Sequence, residues 1–256
     1  MLAVFDAGNS RTKFALYKGD IPVFHANLEG GARAVNGLLC LRTMLDKSGY
    51  SSGEISGAAV CSVVSGMDQA IGSFCREHFE VDAFIVRPPR LAVFKHKYSD
   101  IEKLGADRAA AVFAAISKYP GQSLLIAHFG TATVIDAADK DGVFLGGAIA
   151  PGPGASMEAL KLSLPDLPEV EISKTSRVCG KDTRECLTSG FFYGTLGAVK
   201  EIMERLSAEC FDGRMPIVLA CGGFSSIFKE EPLFEAVIPD LTIEGTRLLY
   251  AKRGGN

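Results

Sequence analysis

Leu2-Ala3-Val4-Phe5, Asp6-Ala7-Gly8-Asn9-Ser10-Arg11 and Thr12-Lys13-Phe14-Ala15-Leu16-Tyr17 open the chain in that order. Two apolar runs separated by Asp, Gly and Asn predict a β-hairpin with a polar, glycine-containing turn. The same layout returns at Leu124-Leu125-Ile126-Ala127-His128-Phe129-Gly130-Thr131-Ala132-Thr133-Val134-Ile135. With Leu2 laid on Leu124, Asp6 falls on His128, Gly8 on Gly130 and Asn9 on Thr131. One copy heads each half of the chain, and the repetition predicts a duplicated α/β unit.

Outward from these two hairpins the pattern stays parallel. A third strand is expected over 22–26, and residues 143–149 play the same part in the second half. Helices are expected over 33–48, 108–118 and 183–209, and buried strands over 57–64 and 84–86. Residues 217–220 form an apolar run that enters Cys221-Gly222-Gly223 directly. Pro120-Gly121 stops the alanine-rich helix and marks the expected boundary, with an N-terminal domain over 1–119 and a C-terminal domain over 120–256.

Composition narrows the class. The 256 residues are 47% hydrophobic and 22% charged, ordinary for a globular protein and enough to bury a core without staples. Lys and Arg number 27 against 30 Asp and Glu, so the basic footprint of a nucleic-acid binder is missing. Cys40, Cys61, Cys75, Cys179, Cys186, Cys210 and Cys221 are odd in number, scattered and free of any C-x-x-C, which reads as reduced thiols. The uncharged stretch 143–157 is broken by four glycines and two prolines, and no membrane span is expected. The N-terminus has no basic n-region and reaches Asp6 almost at once, unlike a signal peptide. These features predict a soluble cytoplasmic chain.

Converging backbone N–H groups hold phosphates, and glycine lets the chain approach closely enough to present them. Two such turns facing across a cleft could clamp the polyphosphate of ATP. Asp6 could hold a hydrated Mg²⁺, Lys13 could neutralise phosphate, and Gly222-Gly223 would leave room for adenine or ribose against the backbone. Any one of these alone is simply a tight turn. The three in this order point to a two-lobed ATP-dependent phosphotransferase of α/β class. Its two domains would be actin-like (ribonuclease H-like), each a mixed sheet flanked by helices, with the ATP cleft between them. No P-loop, no protein-kinase H-R-D and D-F-G pair, and no G-x-G-x-x-G opening a helix is present.

Five segments taken together resemble the type III pantothenate kinases. They are Asp6-Ala7-Gly8-Asn9-Ser10-Arg11-Thr12-Lys13, Gly105-Ala106-Asp107-Arg108, Gly130-Thr131-Ala132-Thr133, Gly146-Gly147-Ala148-Ile149-Ala150-Pro151-Gly152 and Cys221-Gly222-Gly223. The resemblance extends to Leu241-Thr242-Ile243-Glu244-Gly245 and so covers nearly the whole chain. It implies transfer of the γ-phosphoryl of ATP to pantothenate in the first committed step towards coenzyme A. It also implies the acetate/sugar kinase–Hsp70–actin fold, a homodimer, Mg²⁺, and K⁺ or NH₄⁺. By position, the loop from Asp6 to Lys13 would bind the ATP phosphates with Thr131 opposite. Asp107 would be the general base; Tyr98 and Gly105 to Arg108 would hold pantothenate, and Thr183 would reach it from the partner subunit.

The chemistry of these residues agrees. Phosphoryl transfer has a loose transition state, so positioning and charge neutralisation matter more than base strength. An aspartate carboxylate is ionised at neutral pH and can orient a hydroxyl. The fork of Arg108 suits a carboxylate such as pantothenate's. Taken alone, Asp107 also reads as an acid favoured by a helix dipole, with Arg108 a solvated first-turn residue.

His128 departs from the resemblance, which implies an aspartate there as ligand to the monovalent cation. Imidazole nitrogen is a poor donor to K⁺, so K⁺ activation is expected to be lost or weakened, or supplied by a nearby side chain. This substitution leaves two alternatives open: a non-catalytic family member with a regulatory or binding role, and an actin-fold kinase of another small hydroxy acid. Gly190, Gly194 and Gly197 share a helical face that would serve either a dimer interface or packing inside one subunit.

Overall fold

The computed structural model describes residues 1–29 and 34–253. Two strands that are apolar on both faces fix the centre of the first sheet, because such strands need cover on each side. They are β1 (Leu2–Ala7) and β4 (Gly57–Ser62), parallel neighbours with Val4 opposite Ala59. β2 (Arg11–Lys18) and β3 (Ile21–Glu29) follow β1 as an antiparallel meander through tight turns. The parallel steps need crossovers. α1 (Ala34–Lys47) lies between β3 and β4, and α2 (Met67–Phe79) carries the chain from β4 to β5 (Ala83–Ile85). The sheet order is β3-β2-β1-β4-β5. α1 answers the helix expected over 33–48, of which residue 33 lies outside the described residues.

The second sheet repeats this plan. β7 (Leu124–Phe129), β8 (Ala132–Ala138) and β9 (Val143–Pro151) form the antiparallel meander. β10 (Ile217–Cys221) returns parallel to β7, and β11 (Ala236–Val237) lies parallel beside it. α4 (Pro153–Ser163) and the 28-residue α5 (Thr183–Cys210) occupy the long connection. Read as β9-β8-β7-β10-β11, the order and directions match the first sheet strand for strand. The expected duplication is therefore a duplication of topology. No helix among the described residues is long and apolar enough to cross a membrane.

The structure divides the chain differently from a single cut at Pro120-Gly121. One unit comprises Met1–Phe94, Ser99–Ala114 and the chain from Leu241 onward; the other comprises Lys95–Tyr98 and Ala115–Asp240. Two elements cause the difference. β6 (Lys95–His96) pairs with the edge strand β9. α6 (Leu241–Lys252) lays Ile243 against Val4, Ala15 and Tyr17 of the first sheet. Arg247 ties it down by bonding Glu244 and Asp20, with its guanidinium over the Tyr17 ring. A crossing helix that returns to the first unit could not be seen from a local composition change.

In the first unit, α1 and α2 cover one face of the sheet over Phe5, Phe14, Leu16 and Val60. Cys75 of α2 is fully buried there, and burial pushes its thiol up to about 12. The unfolded thiol ionises near pH 8.5 while the native one keeps its proton, so between those values the unfolded state binds fewer protons. This contribution to stability is complete below about pH 8.5 and is lost as pH rises towards 12. The unfolding free energy should fall by up to about 1.4 kcal/mol per pH unit for this thiol. Cys75→Ala should flatten that slope when urea midpoints are compared between pH 8.5 and 10.5; parallel slopes for the two proteins would contradict the assignment.

Candidate active site

In the first unit the catalytic candidates gather at the carboxyl end of β1. The turn after it closes with the Gly8 N–H donating to the Arg11 carbonyl at 3.0 Å. Asn9, Ser10 and Arg11 stand exposed in that turn, while Ala7 is buried beneath it. Asp6 pairs across the hairpin with Lys13 and across the parallel ladder with Cys61. Residues opposite one another in a ladder share a face, so these three point to the same side. That side is covered by α6 and by the first turns of α3 (Ala106–Lys118), where Cys61 packs with Val86, Ala106, Ala110 and Leu249.

Asp107 enters this cluster from the N-terminus of α3. Its Oδ1 accepts a hydrogen bond from the Arg108 N–H at 2.8 Å, one of the helix-end donors without an intrahelical partner. Burial raises the Cys61 thiol well above its ordinary value, and the carboxylates of Asp6 and Asp107 push it further up. A hydrogen bond with Thr246 of α6 acts in the opposite direction. The two carboxylates that sequence reasoning chose separately thus act on one buried thiol. Arg108, beside Asp107, is buried as well, 8% exposed, so it is not a solvated first-turn residue.

Thr12 does not join this group. One residue along the strand from Lys13, it points to the opposite face, among the residues under α1 and α2, and is fully buried. Its hydroxyl has no hydrogen-bond partner among the described residues, and neither has that of Thr133 in β8. Of the loop from Asp6 to Lys13, the structure turns the Thr12 side chain away, together with that of Ala7, its partner in the ladder.

The second unit carries the matching turn. Gly130 N–H donates to the Ala132 carbonyl at 2.9 Å, and Gly152 N–H donates to the Thr131 carbonyl at 2.9 Å. A Cβ on Gly152 would fall 2.1 Å from the Gly130 oxygen, so only glycine lets the end of β9 lie on the turn. His128 pairs with Cys221 of β10. A Cβ on Gly222 would come within 2.5 Å of the imidazole Cδ2 and 2.6 Å of the Phe129 oxygen. Gly222 also has φ of +91°, the left-handed region that favours glycine. The imidazole therefore lies against the first glycine of the pair after β10, while Gly223 has open space around it.

Tyr98, expected in the N-terminal domain, stands with the second unit, its ring 5.5 Å from that of Phe144 and its edge beside Gly146. Thr183 is the exposed first residue of α5, next to the capping Asp182, whose carboxylate accepts from the Glu185 N–H. Sequence reasoning missed Cys61 and Thr246. Nothing local singles them out; only the register with Asp6 and the docking of α6 place them under the carboxylates.

The donor sets separate the two expected ions. Mg²⁺ keeps several waters and takes one or two carboxylates with phosphate oxygens. The half-buried Asp6 at a strand end suits that, and no group of three or more metal-ligating side chains stands among the described residues. K⁺ requires oxygen donors, and the residue at position 128 offers imidazole nitrogen packed on a glycine backbone. The second position does not fit the ion.

Comparison with known proteins gives the family and the fold. The sequence model of the type III pantothenate kinase family matches residues 2–205. A type III pantothenate kinase of Legionella pneumophila is 35% identical over 251 residues, covering 97% of each chain. Among solved structures, a Sinorhizobium meliloti protein assigned as a 2-dehydro-3-deoxygalactonokinase superposes with a TM-score of 0.62 at 11% identity, over 100% of this chain and 98% of that one. Component A of (R)-2-hydroxyglutaryl-CoA dehydratase from Acidaminococcus fermentans gives 0.52 at 12% identity, over 97% and 96%. The structural likenesses show a shared fold, and the family rests on the sequence match. The chain belongs to the type III pantothenate kinase family.

Proposed function

We propose that this chain transfers the γ-phosphoryl group of ATP to the hydroxyl of pantothenate, giving 4'-phosphopantothenate and ADP. The supporting observation is that Cys61 lies opposite Asp6 in the ladder and packs with Ala106 beside Asp107, so that both carboxylates act on its thiol. The pantothenate oxygen attacks the γ-phosphorus, the bond to the β-phosphate oxygen breaks, and ADP leaves with that electron pair. The hydroxyl proton passes to Asp107. The turn from Asp6 to Lys13 and Thr131 hold phosphate oxygens, chiefly through backbone N–H groups and the Lys13 ammonium. Gly223, open on its Cβ side, leaves room for the adenosine, whereas the space beside Gly222 is filled by the His128 imidazole. Arg108 and Tyr98 bind pantothenate, the first through its carboxylate. Asp6 would hold Mg²⁺, and the ion would supply charge neutralisation on the phosphates.

The working form in this reading is a homodimer in the cytoplasm, a location that the odd number and scatter of the seven cysteines support. A Cβ on Gly190, Gly194 or Gly197 of α5 would meet nothing within 4 Å. Gly190, Gly194, Thr195, Ala198 and Thr133 line a groove of about 280 Å³ on that side. The open glycine face supports packing between subunits over packing within one. Thr183 at the start of α5 would then reach pantothenate in the partner's site.

ADP release with Mg-ATP, measured with and without pantothenate, tests the proposal. Release that requires pantothenate is expected; none from folded protein would favour a binding role or another hydroxy-acid substrate. The same assay reads the cation. With imidazole at position 128, adding K⁺ or NH₄⁺ to a sodium buffer should change kcat less than about twofold. Tenfold stimulation would mean that other oxygens supply the site.

A further inference from the structure

We infer that Gly105 is a positioning residue for phosphoryl transfer, because the space of its missing side chain is where the Asp107 carboxylate rests. The inference builds on the assignment of Asp107 as the base. A Cβ on Gly105 would stand 2.5 Å from Oδ1 of Asp107 and 3.7 Å from its carboxyl carbon. The next neighbour, Val63 Cγ1, is at an ordinary 3.8 Å. No backbone atom is among these three nearest, and Gly105 is absent from the glycines with positive φ. An alanine thus meets no main-chain obstacle here and needs no strained backbone. What it displaces is one carboxylate.

This separates Gly105 from Gly152, Gly147 and Gly245, where the added carbon would strike backbone oxygens. At Gly105 it would strike the tip of a side chain that can swing away at little cost to folding. Oδ1 of Asp107 accepts from the Arg108 N–H at 2.8 Å and sits in the Cβ space of Gly105, with the first turn of α3 as the platform. No further hydrogen bond to Asp107 occurs among the described residues, so the second carboxylate oxygen is the one left to take the substrate's proton. Pushing Oδ1 out of the Gly105 space turns that oxygen away from the hydroxyl. Displacements of about 1 Å at a reacting group cost on the order of 10²-fold.

The experiment is a double-mutant cycle on the full chain, with Gly105→Ala, Asp107→Asn and the pair, each read for melting temperature, KM for ATP and kcat. Gly105→Ala is expected to melt within about 3 °C of the parent and to keep KM for ATP within twofold. Its kcat should fall between about 10- and 100-fold. In the Asp107→Asn background the same change should alter kcat less than twofold, since the carboxylate it acts through is already gone. Full kcat in Gly105→Ala beside an inactive Asp107→Asn would overturn the inference alone. Multiplicative losses would overturn it too, by showing that Gly105 acts independently of Asp107. A fall in melting temperature above about 10 °C would make Gly105 a folding residue. Full activity in Asp107→Asn would remove the base assignment and the inference with it.

Discussion

Asp107→Asn is expected to lower kcat by about 10³-fold and to leave the melting temperature nearly unchanged. A positioned acid or base contributes about 10² to 10⁴ in rate. The amide is isosteric with the carboxylate, and its oxygen can still accept from the Arg108 N–H that Oδ1 now satisfies at 2.8 Å. That hydrogen bond in the first turn of α3 therefore survives. In the proposed mechanism, what disappears is the negative charge that orients the pantothenate hydroxyl and the site that receives its proton. The loose transition state makes orientation the larger part of this loss. KM for ATP should hardly move, because the phosphate turn after β1 is a separate element. Steady-state ADP release at saturating pantothenate decides it. A variant within threefold of the parent would show that the hydroxyl needs no partner at position 107.

Gly245→Ala carries the largest expected effect on stability. A Cβ there would lie 1.8 Å from the Ala110 carbonyl oxygen, 2.4 Å from its carbon and 3.0 Å from its Cα. Those are backbone atoms of α3, so no side-chain rotation relieves the overlap and the two helices must part. Parting them loosens the buried packing of Cys61, Ala106, Ala110 and Leu249. Overpacking of this kind costs about 3 kcal/mol, which for a chain of this size is a melting-temperature drop of roughly 6–12 °C. Activity should fall as well, since α3 carries Asp107 and α6 carries Thr246, the partner of Cys61. A thermal scan that moves by less than 3 °C would show that α6 docks more loosely than this contact requires.

Much of the candidate site was legible in the chain because its chemistry sits where strands end. A run such as Leu2 to Phe5 followed by Asp6, Gly8 and Asn9 declares a strand, its last residue and its turn without reference to anything distant. The echo at Leu124 to Thr131 was legible for the same reason, and the family resemblance then gave Asp107 and Thr183 their roles. Three helices escaped. α2 begins after an uncapped Gly66, α4 starts at a proline inside a glycine-rich stretch, and α6 has Gly245 in its middle. Their start signals are weak, and packing supplies what propensity does not.

By itself the sequence determined the local alternation of strand, glycine turn and strand, its duplication, and the family. It also determined that position 128 carries nitrogen in place of oxygen. Those properties depend on neighbours within a few residues, where sterics and side-chain chemistry act directly. Only the tertiary structure decided that α6 returns to the first unit, that Tyr98 stands with the second, and that Thr12 faces away from Asp6. It alone brought Asp6, Cys61, Asp107 and Thr246 together from four elements, and it alone set the Asp107 carboxylate in the space above Gly105. Such contacts join residues up to 240 positions apart. They follow from which apolar faces cover which, and that is settled over the whole core at once, not within any short stretch of chain.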